Sequence, residues 1–448
     1  LCSACYPGRP TKNQPMPKPL KVLIFSYYWP PAGGPGVQRW LYFAKYLAEF
    51  GVQPTLVVPQ GAQYPQIDEA LVAEIPVDVR VQSVPISEPY RWISWLFPQS
   101  TKNLTRGIVP TKPSHIQRFM LWIRGNFWVP DARVGWVTKA VRWANNQPDL
   151  IEYDWVITTG PPHSVHLIGA ALSKKHALKW LADFRDPWTG IHYHNKLRLL
   201  PYALKKHQSL EQMVCQRADL LVATSPSTAI SLDLLAGKQK THCITNGYEP
   251  LAQPPSQLRN PEGFVMAHIG ALLEERNPSG LWAAIAELVK ESPEFAAGFS
   301  LKLIGHVAPS VSAAIAAHKV QPWVTEQGYR PHHEARIAQW SVDVLLLVEA
   351  SQPWASEIIP GKFFEYLETQ KPILALGPDR WDVHQILSQT DSGFYAESTD
   401  VTRIKSLIRK LWQHHMDGQP ATRPTGIDGY TRQNRTHQLA TLLHEFTL

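Results

Sequence analysis

A chain of 448 residues is too long for one ordinary core and suits at least two domains, taking about 150 residues per domain as the prior. Hydrophobic residues at 44% and charged residues at 18% exclude wholesale disorder. No apolar run reaches the roughly 18 residues that a transmembrane helix needs, and a net charge of +7 suits an anionic partner. Residues 1–20 read as a disordered leader without the apolar centre of a secretory signal. Cys2 and Cys5 form a CxxC, but no second pair or matching histidines follow, so no metal site is expected there. With Cys215 and Cys243 they make sparse cysteine usage, which points to a reducing cytoplasm.

Order begins at KVLIF, a short β-branched run read as a buried strand. The loop SYYWPPAGGPG follows. Next comes a helix with Val37, Trp40, Leu41, Ala44, Leu47 and Ala48 on one face, ended by Gly51 before the strand PTLVV. Strand, glycine loop, helix and strand in that order open a doubly wound α/β domain. After an irregular stretch the alternation resumes with DWVITT, a helix from about Ser164, LKWLADF, a helix over Tyr202–Arg217, DLLVAT and a helix from Ser227. THCITNGY ends this part, giving an N-terminal Rossmann-like domain over residues 21–247. Residues 248–262, rich in Pro and polar side chains, read as a linker. A second series runs from FVMAHIG through SLKLIG, VTEQGY, VDVLLLV and PILALG to a helix at Ile404–Trp412, giving a second Rossmann-like domain over residues 263–425. Residues 426–448 read as a helix folding back on the first domain. Two such halves leave a central cleft facing the carboxyl ends of both sets of strands.

The chemistry concentrates in ASEIIPGKFFEYLE. Pro360 suits a first helical turn, so backbone N–H groups and positive dipole gather around Gly361 and Lys362, where a phosphate binds well. Glu357 and Glu365 are eight residues apart, ~12 Å if helical. That is comparable to the distance from ribose to hexose in a nucleotide sugar. As a bare spacing this pattern also fits a solvated amphipathic helix.

The segment PGKFFEYLETQKPILAL, with the Glu357–Glu365 spacing, resembles the donor-binding motif of retaining glycosyltransferases, notably glycosyltransferase family 4. The loop and helix YYWPPAGGPGVQRWLYFAKYLAEFG resemble that family's N-terminal glycine loop. TTGPPHSVHLIG, LADFRDPW, TSPSTA, TNGYEP and HIGALLEERNP follow in family order, so the likeness covers Lys21 to about Trp412. The resemblance implies the GT-B fold, two Rossmann-like domains facing a central cleft. It also implies a nucleotide-diphosphate sugar donor, retention of anomeric configuration, no cofactor and no required metal.

Carried onto this sequence, Gly33, Gly34 and Gly36 would let the backbone approach the donor phosphates. Arg276 would bind the diphosphate where the family usually has a lysine. Ala271 stands where the family often has an arginine, and Lys362 would compensate. Glu365 would hold the ribose and Glu357 the transferred sugar, although IIPGK replaces the usual glycine-aromatic-glycine run. Tyr329 and Arg330 would bracket the base, and His163 would approach the sugar, with His166 structural. Asp183, Arg185 and Asp186 would meet the acceptor; an Asp–Arg pair that fixes the loop is the other reading. The acceptor expected is a lipid-linked or growing glycan.

Between Ser100 and Ala140, Lys102, Arg106, Lys112, Arg118, Arg124, Arg133 and Lys139 are interleaved with Phe119, Trp122, Phe127, Trp128 and Trp136. This segment reads either as an interfacial helix on an anionic membrane or as core aromatics with solvated bases between. The expected place is the cytoplasm and, on the first of these two readings, the inner face of the cell membrane. A silent sugar-nucleotide or lipid-binding scaffold and a sugar-nucleotide epimerase share the expected fold. GGPG is not the GxGxxG of a nicotinamide oxidoreductase, and no nucleic-acid module is found.

Overall fold

The computed structural model describes residues 18–86, 115–190, 197–253, 255 and 263–447. The leader up to residue 17, most of the linker and the part of the basic-aromatic segment before residue 115 lie outside the described residues.

Two parallel sheets organise the chain. The first holds β1 (Leu20–Ser26), β2 (Val52–Gln60), β3 (Arg80–Pro85), β4 (Trp155–Gly160), β5 (Lys179–Phe184), β6 (Leu220–Ala223) and β7 (Thr241–Cys243). Their order is β3-β2-β1-β4-β5-β6-β7. The second holds β8 (Phe264–Ile269), β9 (Phe299–Ile304), β10 (Val324–Gly328), β11 (Val344–Val348), β12 (Ile373–Gly377) and β13 (Gly393–Glu397), in the order β10-β9-β8-β11-β12-β13. Every residue of β4, β8, β11 and β12 is buried, which is why these strands are near-continuous apolar runs rather than alternating ones.

In each sheet the strand order reverses between two central parallel strands, β1 and β4 in the first and β8 and β11 in the second. Ligands of open α/β sheets bind beyond the carboxyl ends at such a switch point. Helices cover both faces. Ile404, Leu407, Ile408 and Leu411 of the helix Val401–Met416 recur at helical spacing and are all buried against the second sheet. Each contributes about 1.5–3 kcal/mol by leaving water. Trp136, Ala140 and Ala144 of the helix Val134–Asn145 pack under the first sheet.

The last helix, Arg432–Glu445, returns to the first sheet. Its Leu439, Ala440 and Leu443 share a core with Leu41, Ala44 and Leu47 of the helix Pro35–Leu47. The crossing is stitched at Tyr248, whose N–H donates to Tyr430 O at 3.0 Å while its carbonyl accepts from Arg432 N at 2.9 Å.

Candidate active site

Four side chains meet beyond the carboxyl ends of β8 and β11. Arg276 comes from the turn Glu274–Arg276 after β8, and Glu349 follows β11 directly. Glu349 Oε1 accepts from Arg276 Nε at 2.7 Å and from Ala350 N at 3.0 Å. Glu349 is fully buried, and its second oxygen has no hydrogen-bond partner among the described residues. Lys362, in the first turn of the helix Gly361–Glu368, extends its Nζ to within 3.2 Å of both His268 Nε2 and the Ile269 carbonyl. Glu365, one turn further on, accepts from Gln339 Nε2 at 2.9 Å and faces His332 Nε2 at 3.2 Å, with Arg336 at 3.7 Å.

The electrostatics follow from these partners. Burial would raise the Glu365 carboxyl, but the bond to His332, the Arg336 charge and the Gln339 bond together hold it below the usual carboxylate range. The bond to Glu365 in turn raises His332. Lys362 is brought down to about 7, first by burial and then by the Arg276 charge, while Glu349 and Glu365 pull the other way. Arg276, Glu349, Lys362 and Glu365 thus form one electrostatic group. Gly361 begins the helix with open space where a β-carbon would stand.

Glu357 lies elsewhere. It precedes the helix start, and its Oε2 accepts from Thr228 Oγ1 of the first sheet's helix Pro226–Ala236 at 3.0 Å. Asp382 joins the same contact by accepting from Ser227 N at 3.0 Å and Ser227 Oγ at 2.6 Å. Burial, opposed by Thr228 and assisted by the Asp382 charge, raises the Glu357 carboxyl. Tyr329 is 83% exposed, and Arg330 is exposed with Glu334 at 3.5 Å.

On the first sheet the glycine loop follows β1. Gly33 N donates to Gln66 O at 2.9 Å, and Gly34, at φ 97°, caps the helix Pro35–Leu47. Gly36 is a close-approach position, since a β-carbon there would stand 2.2 Å from the Arg185 guanidinium. Arg185 NH1 donates to Gly36 O at 2.6 Å and Nε to Gly160 O at 3.2 Å, and NH2 donates to Pro161 O. Arg185 therefore clamps the start of the helix Pro35–Leu47 to the end of β4 and the turn after it. The ionic partner of buried Asp183 is Arg39, at 2.9 Å, not Arg185. Trp40 Nε1 and Thr159 Oγ1 also donate to Asp183, at 2.7 and 2.9 Å. Burial opposes this charge, yet these partners keep the carboxyl below its usual range. Asp186 is half-buried two residues after β5.

His163 is buried after β4 and stacks on Trp188 at 5.0 Å between ring centroids. His166 Nδ1 meets Thr158 Oγ1 at 3.0 Å, and burial lowers its pKa to about 3, which keeps it a neutral core residue.

Glu349, His268, Arg336 and His332 were not among the residues expected from sequence. Two of them carried a signal. Glu349 is the first polar residue after VDVLLLV, at a strand's carboxyl end, and His268 interrupts an apolar strand.

Among the described residues, no group of three or more His, Cys, Asp or Glu could hold a metal ion. No helix among them is long and apolar enough to cross a membrane. The basic-aromatic segment divides. Trp136 is core, whereas Phe119 and Phe127 are 59% and 68% exposed on the helix His115–Phe127, linked through the ring of Trp122.

Two Rossmann-like sheets with their switch points at a shared cleft define the GT-B fold, the fold of a large class of glycosyltransferases. Solved structures agree. Sucrose-phosphate synthase from Thermosynechococcus elongatus superposes with a TM-score of 0.60 at 14% identity, covering 95% of this chain and 99% of that one. Anabaena Alr3699/HepE, solved in complex with UDP-glucose, gives 0.53 at 14% identity over 96% and 98% of the two chains. In sequence, the chain is 24% identical over 201 residues to TuaH of Bacillus subtilis (strain 168), named as a teichuronic acid biosynthesis glycosyltransferase. That match spans 43% of this chain and 49% of TuaH, about half the relative's length. No protein-family model matches the chain.

Proposed function

We propose that the protein transfers a sugar from a nucleotide-diphosphate sugar to a glycan acceptor, with retention of configuration and without a required metal, in the manner of glycosyltransferase family 4. The observation that carries this reading is the convergence of Arg276, Lys362 and Glu365 at the switch point of the second sheet, beside a helix start. Glu365, held ionised, accepts from the ribose hydroxyls. Arg276, Lys362 and the positive end of the helix Gly361–Glu368 face the diphosphate. Negative charge grows there as the bond to the sugar breaks, so these groups stabilise the transition state more than the bound donor. Glu357, where it meets Thr228 across the cleft, and His163 approach the transferred sugar, and the backbone of Gly33–Gly36 lies by the phosphates. Tyr329 and Arg330 border the base. Asp186 meets the acceptor on a wall that Asp183 and Arg185 keep rigid. The name of TuaH and the UDP-glucose bound to HepE support a nucleotide sugar as donor and a cell-envelope glycan as product.

The lipid-linked end of such an acceptor lies at a membrane. Exposed Phe119 and Phe127 continue, through Asn126, to exposed Leu200 and Tyr202: Leu200 N donates to Asn126 Oδ1 at 2.6 Å. Arg118, Arg198, Lys205 and Lys206 stand close to these residues in the sequence and are exposed. Aromatic side chains amid bases suit the anionic cytoplasmic leaflet, to which the protein attaches peripherally.

The test is release of nucleoside diphosphate from a panel of nucleotide sugars, with and without EDTA and with membrane extract as acceptor. Release that survives EDTA supports the reading. Binding without release identifies a silent scaffold, a changed sugar still attached to its nucleotide identifies an epimerase, and release abolished by EDTA removes the metal-free mechanism.

A further inference from the structure

Lys362 stands in the diphosphate subsite without a carboxylate paired to it among the described residues. Its Nζ donates to His268 Nε2 and to the Ile269 carbonyl, each at 3.2 Å. Both acceptors are neutral. The state of His268 follows from its other nitrogen. Nδ1 lies 3.0 Å from the Leu346 carbonyl, which can only accept, so the ring proton is on Nδ1 and Nε2 offers its lone pair. Burial, and next the Lys362 charge, hold this imidazole well below the usual histidine range. The charged groups that face Lys362 are Arg276, Glu349 and Glu365. Glu349 is already paired with Arg276, and Glu365 with His332, Gln339 and Arg336. Gly270, at φ 120°, leaves the space that Nζ uses, since a β-carbon there would lie 3.1 Å from it.

We propose that Lys362 and His268 form a proton-accepting pair, at which a nucleoside diphosphate binds together with one proton taken from solvent onto Lys362 Nζ. This rests on reading the site as the donor subsite. In the free protein the amine titrates at about 7, lowered first by burial and then by Arg276. Above neutral pH the neutral amine is therefore the favoured form. A diphosphate placed beside Nζ supplies the missing counter-charge and favours the ammonium. One N–H bond forms on binding, and the proton returns to solvent when the nucleoside diphosphate leaves. A neutral histidine is the partner this requires. A carboxylate at position 268 would keep the lysine charged throughout.

The experiment is isothermal titration of the whole protein with UDP, GDP and ADP at pH 8, in Tris and in HEPES, whose ionisation enthalpies differ. The parent is expected to take up a fraction of a proton, approaching one, per nucleotide bound, and its affinity is expected to fall from pH 8 to pH 9, by up to about tenfold for a one-proton linkage. Lys362→Arg, whose guanidinium does not titrate, is expected to bind with the same heat in both buffers and with affinity flat over that range. Equal heats in both buffers for the parent, or uptake that survives in Lys362→Arg, overturn the proposal while leaving the donor-site reading intact. No binding of any of the three nucleotides overturns that reading, and the proposal with it.

Discussion

Replacing Arg276 by Ala separates what this residue does for the fold from what it does for chemistry. The substitution strips the ionic partner from Glu349, whose side chain is 0% exposed and whose other oxygen has no hydrogen-bond partner among the described residues. Loss of one member of a fully buried pair costs about 3–5 kcal/mol. Here the Arg276 side chain is 30% exposed, so water can enter its place and solvate Glu349 in part. The expected cost is then about 1–3 kcal/mol. At roughly 2–4 °C per kcal/mol for a domain of this size, Tm falls by about 2–12 °C. Turnover falls on the order of a hundredfold or more, because a cation is lost from the leaving diphosphate. The double variant Arg276→Ala/Glu349→Gln removes the orphaned charge and should recover most of the Tm, whereas turnover should stay low. Calorimetry and initial-rate measurements on the three proteins decide the matter. Turnover that recovers together with Tm, or parental turnover in Arg276→Ala, would show that Arg276 only supports the fold.

Glu365→Gln should weaken nucleoside diphosphate binding at least tenfold, because charge-assisted bonds to the ribose contribute about 1.5–3 kcal/mol each. Unchanged affinity by calorimetry removes the ribose assignment. Gly36→Ala should lower Tm and turnover together, since its β-carbon would stand 2.2 Å from the Arg185 guanidinium that joins the start of the helix Pro35–Leu47 to the end of β4; a parental melting curve would mean the clamp yields freely. Phe119→Ala/Phe127→Ala should release the protein from anionic vesicles at low salt while leaving nucleotide binding untouched. Equal sedimentation of parent and variant with vesicles of either charge excludes the patch as the membrane contact.

The fold was legible because buried parallel strands announce themselves. KVLIF, DWVITT, FVMAHIG and VDVLLLV are runs that only a strand covered on both faces requires, and the glycine loop after the first fixed the winding. What escaped lies at the edges. β3 is RVQSVP, with one buried residue, and offers no apolar run, so the stretch after β2 read as irregular. The site was legible only where it is local. Lys362 and Glu365 share a helix, and their joint position follows from Pro360 and helical spacing. Arg276 and Glu349 are 73 residues apart and meet only because β8 and β11 are neighbours at the switch point. The same holds for Glu357. Its place before the helix was legible from Pro360, but the reach of its carboxylate to Thr228 on the other sheet's helix was not. No local pattern encodes a contact across a cleft. For Asp183, the DFRD sequence suggested Arg185 as partner, whereas Arg39 reaches it from the helix Pro35–Leu47.

On the proposed function, a nucleoside diphosphate occupies the carboxyl ends of β8 and β11 against the helix Gly361–Glu368. Hydrogen exchange with and without saturating UDP, GDP or ADP tests it most directly, because backbone protection needs neither an acceptor nor turnover. The nucleotide which binds is expected to slow exchange in residues 269–277, 349–351 and 361–366, and Glu365→Gln to weaken this protection at equal nucleotide concentration. Protection confined to the first sheet, or binding that leaves the helix Gly361–Glu368 exchanging at its free rate, would contradict it.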